Sequence, residues 1–157
     1  MAFTFSHVVV APYIYRLSGH RLPLAPLTIG TMLPDLTRVA FPHPMAHHFS
    51  GMFSINLICG IILCLLWYKL YRPVIYDYLN IEHINPLPLS AAKHFYLLGL
   101  VAMLIGNFSH LLWDSFTHLD DRTWFAHHFL AQQIKILNIN LYWHEFLQYF
   151  SSFLVLP

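Results

Sequence analysis

The chain has 157 residues, of which 57% are hydrophobic and 10% charged, with a formal net charge of +1. A soluble domain ordinarily carries about 25% charged residues, so this composition excludes a disordered chain and a fully solvated monomer. The eight Lys and Arg are scattered and leave no patch to hold nucleic acid, whereas the histidines number twelve.

The N-terminus, Met1-Ala-Phe-Thr-Phe-Ser-His7, has no basic segment and no cleavage site after it, so no cleaved signal peptide is expected. Phe3 to Tyr15 can form a short helix with Thr4 or Ser6 as N-cap. Pro12, Pro23, Pro26, Pro34, Pro42 and Pro44 interrupt the first part of the chain, leaving Leu22–Leu36 as a second short apolar piece. Such pieces are best housed as interfacial or re-entrant helices. Pro42 and Pro44 place His43 on a turn.

Phe49 to Tyr68 is free of charge and histidine and is closed by Lys69 and Arg72. About 20 apolar residues cross a bilayer as a helix, whereas a run of roughly 10–14 suits a buried core helix. The first span is therefore expected at 49–68. Cys59 and Cys64 would lie about 7.5 Å apart along its axis, too far for an undistorted disulfide. Tyr71 to His94, with Pro73, Pro86 and Pro88, reads as a loop holding at most one short helix. Phe95 to Trp113 contains no Asp, Glu, Lys or Arg and forms the second span, with Gly99, Ala102 and Gly106 suited to close helix approach. Trp67, Tyr68 and Tyr71, with Phe95 and Tyr96, supply an aromatic belt on the loop side. After a polar turn at 114–128, Phe146 to Pro157 resembles the opening of a third span that stops short, as in a truncated chain. The expected architecture is a single all-α, polytopic helical membrane domain over 1–157.

Consecutive spans run antiparallel, which brings His47 and His48, before the first, to the same membrane face as the end of the second. There, Ser109-His-Leu-Leu-Trp-Asp-Ser-Phe-Thr-His118 sets His110, Asp114 and His118 at successive i, i+4 steps. Each step drifts only about 40° around a helix, so the three project from one face. Imidazole and carboxylate ligate zinc and similar divalent ions, and ionisable groups at a membrane span mark function. On spacing alone, Asp35 reads as a helix N-cap behind Pro34, and His7 as an interfacial histidine. His20, His83 and His94 flank loops as solvated side chains; His127, His128 and His144 lie within reach of the site without a spacing that demands it. No phosphate loop, serine-nucleophile elbow or Cys-x-x-Cys pair is present.

Phe3-Thr-Phe-Ser-His7, Ile29-Gly-Thr-Met-Leu-Pro-Asp35, His47-His-Phe-Ser-Gly-Met-Phe53 and the Ser109–His118 string occur in that order. Together they resemble a bacterial membrane-protein family known as domain-of-unknown-function family 4184, itself similar to inner-membrane metal-dependent hydrolases. The resemblance spans nearly the whole chain, with Val8 standing where the family usually has Pro. It implies a metal set of His7, Asp35, His47, His110 and Asp114, with His118 close by and His48 as the alternative to His47.

The expected function is a metal-dependent hydrolase in the bacterial inner membrane, holding one or two divalent ions at the membrane boundary. Zinc is the first choice, with manganese or iron as alternatives, and Asp35 or Asp114 serves as base or ligand orienter. The site's place suggests a lipid-like substrate such as a lipid-linked phosphoester, with the bilayer itself as partner. The competing expectation is a non-catalytic membrane protein with a structural His/Asp cluster. A transition-metal transporter fits least, because the ionisable groups gather at one end. Lys69, Arg72 and Lys93 against Arg38 and Arg122 favour, by one residue, a cytoplasmic inter-span loop and an external site.

Overall fold

The structure is a computed structural model that describes residues 7–42, 44–81, 89–136 and 138–154. The expected caps Thr4 and Ser6 and the loop residues His43 and His83 lie outside these residues, as does the side chain of His94. Helices α1 (Val10–Leu17) and α2 (Leu24–Ala40) occupy the N-terminal region. A 3-10 turn, Pro44–His47, leads into α3 (Phe49–Met52) and α4 (Ile55–Leu66). A π-helical turn at Trp67–Tyr71 continues into α5 (Arg72–Tyr78). The long helix α6 (Leu89–Thr117) follows, then α7 (His127–Leu130), strands β1 (Gln133–Ile136) and β2 (Ile139–Tyr142), and α8 (Trp143–Leu154).

Two helices are long and apolar enough to cross a membrane: Phe49–Tyr78 with 30 residues and Tyr96–Thr117 with 22. Both run past the expected limits of 49–68 and 95–113. Only 22% of the most apolar window of the first is buried within the protein, and 33% of that of the second. A soluble core helix would bury most of such a window. Ile58, Ile61, Ile62 and Leu65 on the first helix and Leu97 and Val101 on the second are instead exposed.

Two expectations need correction. The fold is not all-α, because β1 and β2 pair antiparallel from Gln133↔Tyr142 to Ile136↔Ile139. Alternating β-branched and polar residues there, with Asn138 in the left-handed region at φ 69°, make a hairpin that a helical reading overlooks. From Leu24 onward, the interrupted piece Leu22–Leu36 lies in a single helix of 17 residues that runs to Ala40, with Pro34 inside it. Asp35 is thus mid-helix and no N-cap. The segment expected to open a third span lies in α8, which begins at Trp143, three residues before the expected start, with Ser151 buried and Tyr149, Phe150 and Phe153 exposed.

Helix α2 survives its proline because it is the centre of the packing. It lies along α6 more extensively than any other pair of elements pack. Proline in a helix interior removes a hydrogen bond and costs about 3 kcal/mol, which burial of Leu27, Thr31, Leu33, Pro34 and Thr37 offsets. The two backbones touch. A Cβ on Gly30 would strike the Met103 carbonyl, and one on Gly106 would strike the Leu27 carbonyl. Ala102 is fully buried beside this crossing. Gly106→Val is expected to lower stability by about 1–3 kcal/mol through overpacking, measured as an earlier thermal unfolding transition in detergent, while Gly99→Ala, whose added Cβ would make only an ordinary contact with Pro26, leaves the helix crossing intact.

Candidate metal centre

The C-terminal half of α6 carries the first two groups. His110 and Asp114 are one helical turn apart and almost fully buried at 1% and 2% exposure, and His110 Nε2 lies 3.4 Å from Asp114 Oδ2. Across the crossing, His110 Nδ1 lies 2.8 Å from the Thr31 carbonyl of α2. A carbonyl can only accept, so Nδ1 carries the proton and donates. In the neutral ring that leaves Nε2 as a bare lone pair, and it faces Asp114 Oδ2 and, at 3.7 Å, Asp35 Oδ1.

Three further residues converge on this point. Asp35, on the same helix as Thr31, directs a carboxylate to it. His47 arrives from the 3-10 turn, with Nε2 3.2 Å from Asp35 Oδ1 and 3.6 Å from Asp114 Oδ2. His7, ahead of α1, stacks on His110 with ring centroids 3.8 Å apart and places Nε2 3.7 Å from Asp114 Oδ1. Burial, with His110 beside it, pushes the His7 imidazole down to about 4. His7 is therefore neutral at physiological pH, the form that ligates a metal.

Two sets of donor atoms lie within 4.8 Å of one another: His7, His110 and Asp114, and Asp35, His47 and His110. The chain thus brings five of the six residues expected from the sequence to one point. The sixth, His118, lies just past the end of α6 with Nδ1 3.6 Å from Asp114 Oδ1 and 3.1 Å from Thr117 Oγ1. Burial lowers its imidazole, with Asp114 acting in the opposite direction. Between the adjacent histidines, His47 is the buried one in the cluster; His48 is turned outward and pairs with Asp121 at 3.3 Å. His144 is engaged elsewhere, its Nδ1 3.1 Å from the Leu130 carbonyl and its ring stacked on Tyr142.

The residues fit a divalent cation. His110 Nε2 and Asp114 Oδ1 are buried polar atoms without a hydrogen-bond partner among the described residues. Lone pairs and carboxylates converging in a buried space repel one another unless a cation lies between them. A proton would satisfy one such contact; a metal ion would satisfy all three donors of a set. Nitrogen and oxygen donors suit zinc, and five of them also suit manganese or iron(II), which accept more ligands.

Supporting groups escaped the sequence reading. Asn56, buried in α4, donates from Nδ2 to the Ala46 carbonyl at 2.8 Å and so pins the turn that presents His47. Gly51 lets the same turn close, since a Cβ there would strike the Met45 carbonyl. Asn107, one turn before His110, is buried with neither amide atom hydrogen-bonded among the described residues. The available signal was a lone amide in each apolar run. Arg122 also reaches the cluster, with Nη1 3.7 Å from Asp114 Oδ2, and nothing in its spacing announces this.

The chain matches the family model described as "Domain of unknown function (DUF4184)" over residues 1–157 and belongs to that family. No curated protein and no solved structure matches it.

Asn56→Leu keeps the side-chain volume while removing the bond to Ala46. It is expected to cost about 1–3 kcal/mol of stability and to raise hydrogen exchange at residues 44–47, measured by mass spectrometry. Exchange unchanged from wild type would show that the turn is held by other contacts.

Proposed function

We propose that this chain is a multi-pass protein of the bacterial inner membrane that binds a divalent metal ion at one membrane face and uses it for hydrolysis. The observation that carries this reading is the His110 ring. Its Nδ1 proton is committed to the Thr31 carbonyl, so its Nε2 lone pair is aimed at two carboxylates in a buried cluster. A histidine oriented through a backbone carbonyl is the usual arrangement of a metal ligand. Two long apolar helices whose faces stay largely exposed support the membrane part of the reading.

A divalent ion bound there would supply Lewis acidity and bring water toward ionisation near neutral pH. The chain's own residues do the rest. Asp114 faces three imidazoles as well as His118, and so sets their relative positions. Asp35 is the carboxylate with solvent access, its side chain 26% exposed against 3% for Asp114. That makes Asp35 the better placed of the two to accept a proton from attacking water. Because the cluster stands at the end of α6, a substrate with an apolar portion resting in the bilayer, such as a lipid-linked phosphoester, can present its polar bond to it.

The test is elemental analysis of detergent-purified wild type beside Asp114→Ala. Wild type is expected to hold stoichiometric zinc, manganese or iron, and Asp114→Ala to fall close to background. Equal and negligible content in both, persisting after metal loading, would sink the proposal. Stoichiometric metal without turnover on any phosphoester or acyl ester offered would reduce the cluster to a structural role.

A further inference from the structure

Arg122 has no task in the scheme above, yet it is built into place. Its Nε lies 2.8 and 3.0 Å from the two carboxylate oxygens of Asp120, and its Nη2 also donates to Asp120 Oδ2. The loop that carries it is closed by Thr123 Oγ1 donating to the His118 carbonyl at 2.6 Å and by the Arg122 N–H donating to Asp120 Oδ1 at 3.0 Å. With Nε and Nη2 committed to Asp120, Nη1 is the nitrogen turned to the cluster. It stands 3.7 Å from Asp114 Oδ2, beyond hydrogen-bonding distance.

Charge accounting makes this position unexpected for a purely structural cation. Asp35 and Asp114, with neutral imidazoles, balance one divalent ion. Asp120 already balances Arg122. The guanidinium therefore adds nothing to neutrality, and its repulsion of a metal ion at Asp114 costs metal affinity. A cation held there against that cost is suited to an anion that arrives later. The loop lies just beyond Thr117, the end of the second long helix, where lipid phosphates would stand if that helix crosses a bilayer. Trp124, two residues on in the same loop, packs on Phe108 and edge-on against Phe49, which ties the loop to the two long helices.

We infer that Arg122 is a substrate-positioning residue whose Nη1 holds a phosphoryl oxyanion against the His/Asp cluster. The inference rests on the metal reading above and narrows its substrate class to phosphoesters. Guanidinium suits this role because its donors are planar, permanently charged and matched to phosphate oxygens.

The test uses full-length protein in uncharged detergent loaded with cobalt(II), whose visible spectrum reports changes at the ion. Inorganic phosphate is titrated into wild type, Arg122→Gln and Arg122→Lys, with cobalt content measured in each. Wild type should respond to phosphate and much less to acetate. Arg122→Gln should weaken phosphate binding roughly tenfold to hundredfold, in line with loss of a charged hydrogen bond, while cobalt content stays the same. Arg122→Lys should fall between them, and it carries the comparison should Arg122→Gln lose cobalt. Mixed micelles containing phosphatidic acid identify the source: saturation at lower concentration than free phosphate points to a lipid headgroup, equal or weaker response to a water-soluble phosphoester, and either upholds the inference. Unchanged phosphate affinity in the substituted proteins, or equal binding of acetate, overturns it and leaves the metal site standing. Absence of cobalt from the wild type overturns both.

Discussion

The contact on which the rest of the structure depends is the backbone-to-backbone crossing of α2 and α6. With no Cβ on Gly30 or Gly106, the two helices meet at the Met103 and Leu27 carbonyls. Roughly one turn farther along, that proximity becomes chemistry, since it puts the Thr31 carbonyl 2.8 Å from His110 Nδ1. A larger residue at the crossing would separate the helices and take the carbonyl out of reach. The orientation of His110 is thus a product of packing, and the electrostatic character of the cluster follows from it.

Around this pair the other donors are delivered by weaker and more local devices. A short turn tied to Asn56 presents His47, and stacking on His110 holds His7. Neither device is strong alone. Buried polar groups of this kind contribute about 1 kcal/mol each when paired and cost more when left unpaired. The cluster is consequently demanding: its members depend on one another far more than on any single anchoring bond.

Much of this was legible in the sequence, for reasons that can be named. Unbroken apolar length identifies both long helices, and i, i+4 spacing places His110, Asp114 and His118 on one face, because both signals are local. Antiparallel topology brings His47 to the same end without any motif. What was not legible depends on distant partners. Asp35 follows a proline and resembles a cap, and only the burial of α2 against α6 explains how Pro34 can sit inside a helix. The hairpin at 133–142 alternates apolar and polar residues over only two four-residue strands, a signal too short to stand out beside long helical runs. The side-chain reach of Arg122 depends on Asp120 folding back within its own loop, which no periodicity records.

The bond between His110 and Thr31 joins residues 79 apart in the chain. Contacts of such long range form late, since the intervening chain must be ordered before closure is rewarded. During synthesis, Asp35 and His47 emerge well before the helix that carries His110 and Asp114. Until that helix has docked, the early donors have no partners across the crossing and no shared point to face. The cluster is therefore completed only by the second long helix: a chain stalled before it has Asp35 and His47 but neither of the buried groups they face.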